Sequence, residues 1–316
     1  MSKYTCLERS EFDLEIAVLL AEASQAAYAN SVALTTWAND VGFGEMQTFD
    51  RGDVQGFFCS APSVTLLVFR GTSNLGQWLR DAQFAPWPHP WGFVHRGFLD
   101  GVEAVEVDLE KFDAAAKSAE HVWVTGHSLG GALAVIAAAR LKIRGITCRL
   151  CTYGQPRVGF SNFADRFSIE LPGKLLRFVN QSDIVPRVPP GLLYRHTGLV
   201  KRIVRPGVLE MVPTLESLSS TDPSVSSQIE AVRHTVSAPA LDAANALKAA
   251  GVTEPLLIDT DLAPLTETEF AQLQIAFATA ESTPQLESLT LDLALPWISD
   301  HAISEYIRLL KEIPHF

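Results

Sequence analysis

Short apolar runs alternate with helical stretches through the first two-thirds of the chain. Residues 64–69 (VTLLVF), 121–126 (HVWVTG), 148–154 (CRLCTYG) and 175–180 (LLRFVN) are rich in β-branched and aromatic residues and are bounded by turn formers. Such uninterrupted apolar runs are what strands of a parallel sheet require when both faces are covered. Residues 98–118 and 129–141 between them carry helical periodicity. Ahead of them, Phe12, Ile16, Leu19, Leu20, Ala23 and Ala27 recur at the spacing of one amphipathic helix. This alternation predicts an α/β fold, a mostly parallel central sheet with helices on both faces.

After Arg205 the texture changes. Residues 213–228 are rich in Ser, Thr and Pro and read as an irregular excursion. Two helices are expected beyond it, one over 240–250 stopped by Gly251, the other opened by a capping box of Thr266 and Glu269. Residues 289–295 alternate like a strand, and the chain closes on a helix containing SEYIRLLKE. No internal repeat and no second core are evident. Residues 1–316 therefore read as a single domain carrying a helical, Ser/Pro-rich insertion or cap at about 206–285.

An apolar fraction of 47% beside 19% charged residues supports a substantial core. The net charge of −11 argues against a nucleic-acid partner and against charge-driven docking on anionic membranes, and leaves a neutral substrate open. No run has the length of a transmembrane segment. The N-terminus shows no compact apolar core with a small-residue cleavage site, so the protein is expected in the cytoplasm, or secreted by a route or leader not seen in this sequence. Cys6, Cys59, Cys148 and Cys151 give no disulfide framework; Cys148 and Cys151 have the spacing of a redox or zinc half-site, but no second pair completes it. They read as buried apolar residues. No motif calls for a metal or an organic cofactor.

The chemistry concentrates at Gly126-His127-Ser128-Leu129-Gly130, a G-x-S-x-G pattern with a strand before it and an Ala-rich helix after it. That context makes a sharp, strained strand-to-helix turn that exposes the serine hydroxyl and aims a helix N-terminus at any oxyanion formed there. A serine activated in this way needs an acid and then a histidine later in the chain. Asp183 follows the strand at 175–180 in a proline-stiffened loop, with Asp259 and Asp261 as runners-up. Among the eight histidines, His89, His95 and His121 precede the serine, and His127 adjoins it on extended backbone, where neighbours point to opposite sides. Of the four that remain, His301 lies in a loop between the last expected strand and helix, and His196 is its main rival. His234 falls in the insertion and His315 sits one residue from the end.

These motifs together resemble the fungal-type (class 3) triacylglycerol lipases of the α/β-hydrolase superfamily. The matching stretches are VFRGT (68–72), the W-L-R-D at 78–81, VHRGF (94–98), VTGHSLGGALA (124–134), TYGQPRVG (152–159), SDIVPRVPP (182–190) and YRHTG (194–198), covering roughly residues 15–200. The resemblance implies a Ser128, Asp183, His301 triad, with His196 in a structural or rim position. It also implies an oxyanion hole built from Thr72 and the N–H of Leu129. Asp81 would anchor a short lid helix around Trp78. Asp183 and His301 are 118 positions apart, farther than the resemblance implies; His234 has the better spacing but lacks the D-H-x-x-x-x-Y run of residues 300–306.

The expected function is a serine carboxylic-ester hydrolase working through an acyl-enzyme, foremost a lipase on acylglycerols. An esterase, a phospholipase A or an acyltransferase on another acyl ester is the alternative, and a non-catalytic hydrolase-fold binding protein the remote one. Residues 74–93 carry three tryptophans and two phenylalanines. Trp78, Phe84, Trp87 and Trp91 are therefore candidates for an acyl-chain wall or for a lid that opens transiently at a lipid–water interface.

Overall fold

The computed structural model describes residues 2–72, 85–180, 183–189, 193–211 and 299–314. Helix α1 (Leu14–Ala26) starts where Asp13 accepts the Ile16 N–H, and α2 (Ser31–Val41) where Asn30 accepts that of Ala33. Strands β1 (Glu45–Arg51), β2 (Val54–Ser60) and β3 (Val64–Phe69) follow as an antiparallel meander. A short hairpin, β4 (Pro86–His89) and β5 (Gly92–His95), leads into α3 (Arg96–Ala104) and α4 (Glu106–Ser118). The sequence expects one helix over 98–118; the structure breaks it at Val105, whose backbone leaves helical geometry (φ −105, ψ 17) while its side chain stays in the core.

Strand β6 (His121–His127), helix α5 (Leu129–Ile143), β7 (Arg149–Tyr153), β8 (Gly159–Phe160), α6 (Ser161–Glu170) and β9 (Leu175–Asn180) complete the centre. Strands β10 (Tyr194–Arg195), β11 (Leu199–Arg205) and β12 (Val208–Met211) come next, and helix α7 (Ile303–Lys311) is the last element. The eight-stranded sheet has the order β1-β2-β3-β6-β7-β9-β11-β12, parallel from β3 through β11. A second, four-stranded sheet has the order β10-β8-β5-β4.

Each parallel strand sends alternate side chains to opposite faces, and each face has its own core. Leu67, Phe69, Val124 and Leu150 meet α3, α4, α5 and α6, while Leu66, Val68, Trp123 and Tyr153 meet α1 and α7. Every residue of β3 and β9 is buried, as the uninterrupted apolar runs require. Cys148 packs in the first core and Cys151 in the second, so the C-x-x-C pair straddles the sheet and forms no half-site. All four cysteines are free and buried; burial pushes the Cys6 and Cys148 thiols up to about 12.

Helix α5 is apolar almost all round because it is the most enclosed helix of the set. Its alanines and glycines let it lie close to the sheet: a methyl at Gly130 would overlap the Phe69 carbonyl, and one at Gly126 would overlap the Gly130 backbone. Residues 206–211, counted with the insertion in the sequence, instead form a turn and β12, which extends the main sheet by pairing with β11. The rest of the insertion and the expected strand at 289–295 lie outside the described residues. Among the described residues no helix is long and apolar enough to cross a membrane.

Candidate active site

Ser128 stands between β6 and α5 with φ 59 and ψ −129, the one non-glycine residue with positive φ among those described. Holding a non-glycine residue there costs on the order of 1–3 kcal/mol, sustained only by surroundings that over-determine it. Here those surroundings are the Gly126–Gly130 crossing and the Ser128 N–H, which donates to the Tyr153 carbonyl at 2.9 Å. Leu129 opens α5, so its N–H belongs to the unpaired first turn of that helix. The loop after β3 runs alongside: a methyl at Gly71 would lie 3.1 Å from Ser128 Cβ and 2.6 Å from the His127 carbonyl. Thr72 follows Gly71 directly in the chain.

Asp183 lies just past the end of β9, and its N–H donates to the Asn180 carbonyl at 2.8 Å. Its carboxylate is fully buried and collects three donors. Val185 N–H reaches Oδ1 at 2.9 Å, Tyr306 O–H reaches Oδ2 at 2.7 Å, and His301 Nδ1 lies 2.9 Å from both oxygens. A buried carboxylate needs such partners. The tautomer of His301 follows: Nδ1 carries the hydrogen because it faces only acceptors, which leaves the Nε2 lone pair free to take a proton. Burial and the neighbouring Asp183 push the Tyr306 hydroxyl well above its ordinary value, so it remains a donor.

The end of β7 joins the two halves. Tyr153 holds the Ser128 backbone, and a methyl on the next residue, Gly154 (φ +56), would lie 2.7 Å from Asp183 Oδ2 and 2.8 Å from the His301 ring. The His301 ring also lies on that of His127, the neighbour of Ser128, with centroids 4.5 Å apart. Ser128 Oγ and His301 Nε2 are both buried and neither has a hydrogen-bond partner, so the serine–histidine bond itself is not made in this structure. Catalytic hydrogen bonds in substrate-free sites are often open in this way.

The other residues singled out in the sequence divide clearly. His196 is buried and its Nε2–H donates to the Pro186 carbonyl at 2.8 Å, steadying the loop that carries Asp183; it is His301 that reaches the carboxylate. Trp91, a candidate for the acyl-chain wall or lid, is buried. It lies in the core with its ring centroid 6.1 Å from that of Phe167 and 6.3 Å from that of Phe163. An aromatic side chain between two helix-borne phenylalanines gains more from packing than from water, and only exposed ones are free to act as a lid. Trp87 on β4 is 45% exposed, with the Arg96 guanidinium 4.6 Å from its ring centroid. Trp78, Asp81, Phe84, His234, Asp259, Asp261 and His315 lie outside the described residues. Among the described residues no group of His, Cys, Asp or Glu could hold a metal ion.

Sequence reasoning missed two participants. Tyr306 was noticed only as part of a run, and Tyr28, which reaches His127 Nδ1 at 3.0 Å, not at all. The regular spacing of α1 ends near Ala27, so nothing in the pattern marks Tyr28.

Comparison with known proteins finds lipases among the similar sequences and the similar solved structures. Residues 66–192 match the model described as "Lipase (class 3)". A "Secreted mono- and diacylglycerol lipase 1" of Fusarium solani is 40% identical over 136 residues, 41% of this chain and 40% of that protein. A "Lipase" of Rhizomucor miehei is 40% identical over 147 residues, 42% of this chain and 39% of that one. The chain thus spans about two-fifths of the length of these relatives. Among solved structures, the triacylglyceride lipase of Rhizomucor miehei superposes with a TM-score of 0.53 at 28% identity, covering 62% of this chain and 83% of that one. Lipase II from Rhizopus niveus does so with a TM-score of 0.54 at 30% identity, covering 61% and 81%.

Proposed function

We propose that this chain, whose residues 66–192 match the class 3 lipase model, is a member of that family within the α/β-hydrolase superfamily and a serine carboxylic-ester hydrolase acting on acylglycerols. The observation that carries the reading is the buried Asp183–His301 pair set against the strained turn at Ser128. His301 Nε2 takes the Ser128 proton as Oγ attacks the ester carbonyl, and the Asp183 carboxylate stabilises the imidazolium that results. The N–H groups of Thr72 and Leu129 receive the charge on the tetrahedral oxygen, each donor contributing on the order of 10²–10³ in rate. The imidazolium then protonates the departing alcohol, leaving the acyl group on Ser128. Water, deprotonated by the same imidazole, releases the fatty acid and restores the serine.

The lipid–water interface belongs to the same proposal. Trp87, exposed on the β4–β5 hairpin, supports it, because an amphipathic ring beside a cation suits the boundary between acyl chains and water. The test uses the whole chain on a water-soluble short-chain ester and on emulsified triacylglycerol, with fluorophosphonate labelling in parallel. Hydrolysis of both esters and labelling that vanishes in Ser128→Ala are expected, with a rate loss of at least ~10³-fold. A variant that keeps its activity overturns the assignment. Turnover of the soluble ester without the emulsion leaves the hydrolase standing and removes the acylglycerol and interface parts.

A further inference from the structure

The hydrogen bonds around His127 run in one direction and join three segments of the proposed site. His127 Nε2 lies 2.6 Å from the backbone carbonyl of His301, which offers only lone pairs, so Nε2 carries the hydrogen. His127 Nδ1 is then an acceptor, and its neighbour at 3.0 Å is the Tyr28 hydroxyl, which must donate. The Gly71 backbone packs against the same hydroxyl oxygen. Gly71 is obligatory for this approach: a methyl there would overlap the Tyr28 oxygen. The chain therefore reads Tyr28 hydroxyl, His127 ring, His301 carbonyl, with Gly71 packed against its first member. It ties the segment leading to Thr72, the residue adjoining Ser128, and the residue whose ring pairs with Asp183.

We propose that Tyr28 and His127 are positioning residues, which hold the oxyanion segment and the base in register with the nucleophile through this directed chain. The proposal rests on the ester-hydrolase reading above. Two features fit the task. Burial, with the adjacent His301 next in importance, holds the His127 imidazole well below its ordinary value, so it stays neutral and keeps one tautomer. Burial pushes the Tyr28 phenol up to about 12, so it stays a donor. Neither side chain reaches the reacting atoms; Tyr28 acts through the His127 ring, and His127 through the backbone carbonyl of His301.

A positioning role predicts a loss in turnover rather than in binding. Tyr28→Phe keeps the ring and removes both the hydrogen bond to His127 and the oxygen against which Gly71 packs. On a soluble short-chain ester its kcat is expected to fall roughly 10- to 100-fold, the scale of a sub-ångström misplacement of catalytic groups. KM is expected to stay within about twofold, since uniform binding is untouched. His127→Gln, which retains a donor for the His301 carbonyl, is expected to lose less than His127→Leu, and the Tyr28→Phe/His127→Leu pair to lose no more than the worse single variant, because the links act in series. Thermal midpoints taken alongside separate this from a folding defect. The proposal is overturned if Tyr28→Phe keeps kcat within twofold at an unchanged midpoint, or if Gln and Leu at His127 behave alike. Because wild type and Ser128→Ala are assayed in the same series, a chain with no hydrolase activity at all would reveal itself as a failure of the earlier reading.

Discussion

Tyr306 gives its hydroxyl hydrogen to Asp183 and takes the Asn180 N–H at 2.9 Å, so one buried oxygen serves both the carboxylate and the loop that carries it. Tyr306→Phe would leave the Asn180 N–H without an acceptor and Asp183 short of a donor. A group stranded in the interior costs about 1–3 kcal/mol, so chemical denaturation should show a loss in that range. Ester turnover should fall with it, as the carboxylate is freer to turn from His301. At this scale the sequence was informative where chemistry leaves a local signature. Glycines two before and two after Ser128 announce a crowded turn, and Asp183 follows a strand. It was silent where the partner is distant: Tyr28 and His127 are 99 positions apart, and the rule that adjacent side chains diverge, which set His127 aside as the base, is the same rule that points it toward Tyr28 and His301. Trp91 misled because an aromatic residue has the same letter in a core and in a lipid-facing wall.

Helix α5 and strand β6 work as a unit. Gly126→Ala puts a methyl into the Gly130 backbone, which no side-chain rotation can relieve. The helix would have to move off the sheet, and destabilisation of about 3 kcal/mol or more is expected in a urea melt, with loss of activity before unfolding as Ser128 is displaced. The buried strands were legible because complete enclosure leaves an unbroken apolar run, as in β3 and β9. Short edge elements were not: β12 is four residues long at the margin of the sheet, where half-exposed positions carry little pattern. The break at Val105 has no proline or glycine to mark it, since the buried Val105 side chain is compatible with either one helix or two.

Across the molecule, enclosure also sets the response to acid. His89 accepts the Trp91 N–H at Nδ1, and burial, with the charge of Arg140 second, lowers its pKa from 6.5 to about 4. Between those values the unfolded chain binds the proton and the folded one does not, so stability is complete above about pH 6.5 and declines as the pH falls toward 4. The decline attributable to this ring is at most about 3 kcal/mol, and buried His127 acts in the same direction. Thermal midpoints measured over that range should drop, and His89→Asn, which keeps an acceptor for Trp91 without a titrating ring, should flatten the slope.

Helix α7 seats itself against α1, and His301 stands just ahead of it, so two helices far apart in the sequence lie side by side. The residue proposed as the base is thereby installed by the docking of α7 on α1. During refolding, the return of ester turnover should accordingly trail the return of secondary structure and coincide with that docking.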